Sequence, residues 1–172
     1  KPFCPDGKDE PPIAHTLVKY ASPNGYITRI RELMKKIVDE LRNLRYPGAY
    51  NNQARHVRLA EPFRSIQHEI VAGLIYEATN LSFLEIQRFV DKLEEREAGR
   101  IISQILALRE KHDALPRAFA AGYKIQFDIC MDIGGRRDLH RHRNCIQIHQ
   151  RFSVDRGFDI PELVKEIGKA DH

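Results

Sequence analysis

Residues 136–151 read Arg-Arg-Asp-Leu-His-Arg-His-Arg-Asn-Cys-Ile-Gln-Ile-His-Gln-Arg. Five arginines stand against one aspartate, and three of the chain's eight histidines are here. The local charge equals the formal +4 of the whole chain. Guanidinium groups are planar, permanently charged and forked, so they suit bidentate contacts to phosphate oxygens. The segment follows a predicted strand, and strand-end loops commonly host sites. The segment's five arginines and three histidines are therefore candidate anion contacts, with an anionic nucleotide or dinucleotide as the ligand class. A solvated basic face, with arginines paired to the acids near residues 91–97, fits the same spacing.

Other chemistries were weighed on the same residues. His140 and His142 share a face only if extended; on a helix they diverge by about 200° and cannot share a zinc ion. Neighbouring arginines also repel a dication, so no metal site is expected. Nucleic-acid binding needs a basic stripe interleaved with aromatics. The chain has no Trp, and Phe152 is the nearest ring. Cys145, beside Arg143, is a candidate for a lowered thiol pKa, with buried packing as the alternative. Asp128 and Asp132 lie on the polar face of the strand and are expected to meet solvent or arginine. His56 and His68 stand alone and read as surface or core histidines. Gly134-Gly135 lacks the spacing of a dinucleotide fingerprint.

The elements that must position this segment follow from periodicity. Residues 1–27, rich in proline, read as an extended arm, and residues 28–172 as one domain. Ile30, Leu33, Met34, Ile37, Val38, Leu41 and Leu44 recur at helical spacing over 28–45, with Arg29, Arg31, Lys35 and Lys36 on the other face. Tyr46-Pro47-Gly48 stops that helix, and 49–60 reads as a polar connector. A second helix is predicted at about 61–79, ended near Asn80. Ser82 and Glu85 form a capping box ahead of a third. A fourth spans about 97–112, and Pro116 ends that region. Tyr123 to Asp132 then alternates apolar and polar, a half-buried strand that Gly134-Gly135 should break. Residues 136–143 fit a short helix or a loop. Ile146, Ile148, Phe152 and Val154 suggest a second, weaker strand. A last helix begins near Asp159-Ile160-Pro161 and ends at Gly168. The expected class is α+β, helix-dominated, with a small, mainly antiparallel sheet.

Composition narrows the function classes. With 172 residues, 42% hydrophobic and 30% charged, the chain can bury a core without disulfides. Mean hydropathy is −0.49, and no apolar run reaches 18 residues, so a membrane-spanning helix is not expected. Cys4, Cys130 and Cys145 are odd in number with no Cys-x-x-Cys spacing, which fits a reducing, cytoplasmic compartment. The chain opens Lys1-Pro2-Phe3 and reads as part of something longer.

At Arg141-His142-Arg143 the sequence resembles the flavin-dependent thymidylate synthase (ThyX) family. It is closer to a longer, divergent branch like the thymidylate synthase complementing proteins. The supporting residues are Phe127-Asp128-Ile129, then Arg137-Asp138-Leu139-His140-Arg141-His142-Arg143, with Gln147 matching a motif glutamine. Ile75-Tyr76, Leu81-Ser82-Phe83 and Leu115-Pro116-Arg117-Ala118-Phe119 extend the likeness over about residues 57–155. The resemblance implies that Arg141, His142 and Arg143 contact FAD, and that Arg137, Arg141 and Gln147 contact dUMP. It implies a homotetramer with sites shared between subunits, methylenetetrahydrofolate as one-carbon donor and NADPH as reductant. The chain departs from the motif further on. Ile146 stands where the family has Ser, and Ile148 and His149 stand for Asn and Glu. Arg151 stands for the next Ser, and Ser153 for the final Arg. The function expected is thus a FAD- and dUMP-binding synthase-like domain, degenerate or incomplete. A non-catalytic oligomerisation or anionic-ligand-binding module is the alternative, with a basic nucleic-acid-binding domain behind it.

Overall fold

The computed structural model describes residues 25–45, 56–122, 125–142, 144–152, 160 and 162–170. Six helices and two strands follow in the order α1 (Gly25–Arg45), β1 (His56–Leu59), α2 (Ile66–Ala78), α3 (Phe83–Val90), α4 (Glu95–Ala107), β2 (Phe127–Cys130), α5 (Ile133–Leu139) and α6 (Glu162–Ala170). A 3-10 turn, Arg117–Phe119, lies between α4 and β2. The class is α+β and helix-dominated, with a two-stranded antiparallel sheet. The extended arm expected over 1–27 lies outside the described residues up to 24; residues 25–27 already belong to α1.

Helix α2 is the centre of the core. Val71, Ala72, Gly73, Leu74 and Ile75 are all buried. Five consecutive residues sweep more than one full turn, so this stretch is covered on every side. Helix α1 covers one side through Tyr26, Ile30, Met34 and Val38, spaced four apart as the sequence pattern requires. Helices α3 and α4 cover others through Ile86, Val90, Ala98, Ile101 and Ile105. The capping box at α3 is present: the Glu85 amide donates to Ser82 Oγ at 3.3 Å, and the Ser82 amide donates to Glu85 Oε2 at 2.8 Å.

His68 is a core histidine, fully buried on α2. Its Nε2 lies 3.1 Å from the Leu93 carbonyl and its Nδ1 2.7 Å from Ser65 Oγ. Arg64 Nη2 also lies 2.8 Å from Nε2, so that nitrogen stands between a donor, Arg64, and an acceptor, the Leu93 carbonyl. Arg64 donates to the same Leu93 carbonyl at 2.6 Å. This cluster ties the start of α2 to the turn between α3 and α4.

Several sequence expectations are corrected. Residues 56–59 form a strand within the stretch read as a connector; four residues carry too little periodicity to stand out. They pair antiparallel with β2, His56 opposite Cys130 and Leu59 opposite Phe127. The polarity of β2 is also inverted. Asp128 is 7% exposed, whereas Phe127 is 59% and Ile125 67% exposed. Val57 and Leu59, on the same face as Phe127, are exposed too. A sheet of two strands has no second layer over that face among the described residues, so alternation alone did not tell inside from outside. β2 ends at Cys130, before Gly134-Gly135, and these glycines lie inside α5, which begins at Ile133. Residues 146–152 are extended but unpaired, so the second strand expected there is absent within the described part. Gly168 does not end α6, which runs to Ala170.

Replacing His68 with leucine removes its side-chain hydrogen bonds while keeping apolar volume. The expected cost is about 1–3 kcal/mol, read as a lower urea midpoint with an unchanged denaturant slope.

Candidate functional site

A groove of about 920 Å³ runs beside α2. Its floor is Ala72, Gly73 and Tyr76 of α2 with Ala118 of the 3-10 turn. Residues 125–132, which include β2, form one wall and residues 144–152 the other, while Arg136 and Leu139 of α5 close one end. Phe63, Tyr76 and Phe83 line it as an edge-to-face aromatic cluster, Phe83 lying 5.9 Å from Phe63 and 6.1 Å from Tyr76 between ring centres.

Gly73 makes this arrangement possible. A Cβ at that position would stand 2.9 Å from Ala118 Cβ and 3.1 Å from Ile148 Cδ1. The missing side chain lets the 3-10 turn and the 144–152 wall reach the helix surface.

That wall is held by two glutamines. Gln147 Nε2 donates to the carbonyls of Leu139 at 2.9 Å and His142 at 3.3 Å, and its Oε1 lies 3.1 Å from His140 Nδ1. Since that amide oxygen only accepts, His140 carries a proton on Nδ1. Gln150 Nε2 donates to the Leu81 carbonyl at 2.6 Å, tying the wall to the α2–α3 connection. The Cys145 thiol donates to the His142 carbonyl at 3.3 Å.

Helix α5 starts at Asp132, whose side chain accepts from the Gly135 amide at 2.7 Å. One turn of helix then selects which basic residues face the groove. Arg136 and His140, four apart, share a face. Arg136 Nη2 lies 2.8 Å from His149 Nε2, its guanidinium is 5.5 Å from the Phe152 ring centre, and the His140 and His149 rings are 6.4 Å apart. Arginine only donates, so His149 Nε2 accepts. Partial burial, then the charges of Arg136, Arg117 and neighbouring His140, push the His149 imidazole below its ordinary value; a hydrogen bond with the Gln147 backbone pulls weakly upward.

Of the residues singled out in the sequence, Gln147 lines the groove, where it staples the wall. Arg137 is exposed on α5, about 100° around from Arg136, and does not line the groove. The Arg141 side chain is 75% exposed, 4.0 Å from Asp138 and away from the groove. His142 is exposed in the turn after α5. Arg143 lies outside the described residues. Asp128 lines the groove and is buried, so of the two expected surroundings, solvent or arginine, solvent does not hold. The groove side chains that residue counting left in the background are Arg136, His149, Arg151 and Phe152. The i, i+4 pair Arg136/His140 was the available signal. Among the described residues no group of three or more His, Cys, Asp or Glu is placed to hold a metal, and no helix is long and apolar enough to cross a membrane.

No protein-family model matches the sequence, and no solved structure matches it. The chain is similar to a UPF0159 protein of Chlamydia pneumoniae, 27% identical over 95 residues. That match takes in 55% of this chain and 18% of the relative's length.

Two glycine substitutions should move stability in opposite directions. Gly73→Val drives a branched side chain into Ala118 and Ile148, costing about 1–3 kcal/mol. In α4, a Cβ at Gly99 meets nothing nearer than Gln67 Oε1 at 3.9 Å. Gly99→Ala should therefore stabilise by about 0.5–1 kcal/mol. Thermal melts of both variants check the pair.

Proposed function

We propose that the groove binds an anionic nucleotide, with FAD and dUMP as its ligands, in a flavin-dependent thymidylate synthase-like protein of which this chain is one domain. The observation that carries the reading is a pair of arginines in a groove of ligand size, which Glu69, Asp128 and Asp132 line as well. Arg136 and Arg151 line it, and neither has a carboxylate within ion-pair distance among the described residues. Its volume lies in the range of small-molecule and cofactor sites, which combine apolar walls with a few convergent polar groups.

The residues present suit a phosphate-bearing aromatic ligand. Guanidinium groups match phosphate oxygens. Phe152, Tyr76 and Phe83 offer ring surfaces for a flavin or a base. Bound flavin would supply hydride transfer, with methylenetetrahydrofolate and NADPH as its co-substrates. The chain's own part is to bind and orient. Further support comes from the Arg141-His142-Arg143 resemblance, under which these residues reach a ligand held by a neighbouring copy in a cytoplasmic homo-oligomer; the Arg141 and His142 side chains are exposed.

One feature favours a non-catalytic variant of this reading. Ile148, which stands where the family has Asn, packs against the core beside Gly73. A hydrogen bond to a base cannot come from that position, and a polar site that loses a partner loses discrimination. The domain then retains anion binding without synthase activity of its own.

Titration of FAD and of dUMP onto the chain, followed by flavin absorbance and by calorimetry, tests the proposal. Arg136→Gln should weaken FAD binding about tenfold or more, the loss of one charge-assisted contact. Arg137→Gln should change it less than about twofold. Failure of both ligands to bind at about 1 mM would remove the reading.

A further inference from the structure

We propose that Arg136 and His149, with His140 beside them, form a tetrahedral-oxyanion subsite at the α5 end of the groove, and that it takes up a proton as it binds. The ligand class is a dianionic phosphate-type group. The inference rests on the reading of the groove as an anion site and adds where the anion sits and how pH controls it.

The geometry shows a site that caps itself. Arg136 donates into the lone pair of His149 Nε2 at 2.8 Å. A guanidinium aimed at an imidazole nitrogen is a weak use of a charged donor, because its stronger partner is a carboxylate or phosphate. Among the described residues Arg136 has no such partner. An oxyanion entering between the two side chains accepts from Arg136 on one side. On the other it meets Nε2, which repels it while unprotonated and donates to it once protonated. His149 therefore gains a proton from solvent as the anion enters, and returns it on release.

The surrounding charges set the direction. Arg136 and His140 face His149 from α5, Arg117 from the 3-10 turn, and the Gln147 backbone from its own segment. In the free protein partial burial, then the charges of Arg136 and Arg117 with His140 alongside, disfavours the imidazolium. The groove's carboxylates are engaged elsewhere. Glu69 accepts from the Gly122 amide and from Gln126, and Asp132 caps α5. Asp128 is buried in β2. A bound dianion reverses the sign of the local field and raises the His149 pKa in the complex. The complex then holds more protons than the free site, so affinity is highest at low pH and falls as pH rises through the pKa of the complex.

Sulfate is the probe, because it stays dianionic from pH 6 to 8 and any pH dependence belongs to the protein. Calorimetry should show sulfate binding about tenfold weaker at pH 8 than at pH 6, one pKa unit of linkage being a factor of ten. Uptake should peak near about half a proton per sulfate, the most that one pKa unit of linkage allows, read from buffers of different ionisation enthalpy. His149→Gln should abolish both the pH dependence and the proton uptake, and Arg136→Gln should abolish binding. None of these side chains belongs to the core, and circular dichroism melts matching the parent chain verify folding. Binding that is independent of pH, or a pH dependence that survives His149→Gln and vanishes in His140→Gln, overturns the assignment. No sulfate binding at any pH overturns the subsite, while FAD binding by the same sample would leave the broader reading standing. Competition identifies the source of the anion. Displacement of sulfate by dUMP but not by deoxyuridine assigns the subsite to a nucleotide phosphate. Displacement by inorganic phosphate alone keeps the subsite and ends its use for dUMP.

Discussion

The missing side chain at Gly73 is the constraint on which the rest of the structure depends. Helix α2 is buried around a full turn, so anything packed on it must fit its surface relief. At Gly73 that relief is a notch, and Ala118 and Ile148 enter it within about one van der Waals contact of the backbone. The 3-10 turn and the 144–152 segment are thereby held against the same helix, and the space left between them and β2 is the groove. The groove exists because two short, irregular segments have one rigid surface in common.

Irregular segments need their backbone groups satisfied, and here side-chain amides supply the partners. Gln147 closes the turn after α5 and Gln150 reaches the α2–α3 connection. Both work through backbone carbonyls, which no substitution in those neighbours removes. The same wall carries His149, Arg151 and Phe152 into the groove, so scaffold and chemistry share one short stretch: Gln147 staples, Ile148 anchors, His149 faces Arg136, Gln150 staples again.

What was legible in the sequence divides along physical lines. Helical periodicity was legible because burial selects one face over many residues: α1, α2 and α4 appear within a few residues of their expected bounds, and the Ser82–Glu85 box marks α3 directly. Short strands were not. β1 has four residues, and β2 keeps its alternation while turning its apolar side outward. Alternation reports that two faces differ, not which of them is covered. The stretch 136–143, open to a short helix or a loop, falls partly in α5, which begins earlier, at Ile133, and takes in Gly134-Gly135. Glycine weakens a helix by about 1 kcal/mol, but the Asp132 cap and the following residues to Leu139 outweigh that cost. Ile146 and Ile148 suggested a strand, yet Ile148 serves packing on α2 instead of pairing.

The candidate site teaches a sharper lesson. A basic run is linear, but a helix distributes it by angle. From Arg136 to His142 the chain winds about two turns. Arg136 lines the groove and its i+4 neighbour His140 lies beside His149, while Arg137 and Arg141 do not line it. Net charge over the run therefore overstates what any one ligand meets, and motif adjacency does not decide which side chains converge. Arg141 and His142 remain together on an exposed turn, where their reach is toward a surface outside this groove. The groove itself is served by residues spaced four and thirteen apart. His149 meets Arg136 only because the wall doubles back along α5, and that return path is fixed by Gln147 bonding to Leu139 and His142. Recognition chemistry in this domain is thus set by where a short helix ends and how the chain after it is tied back.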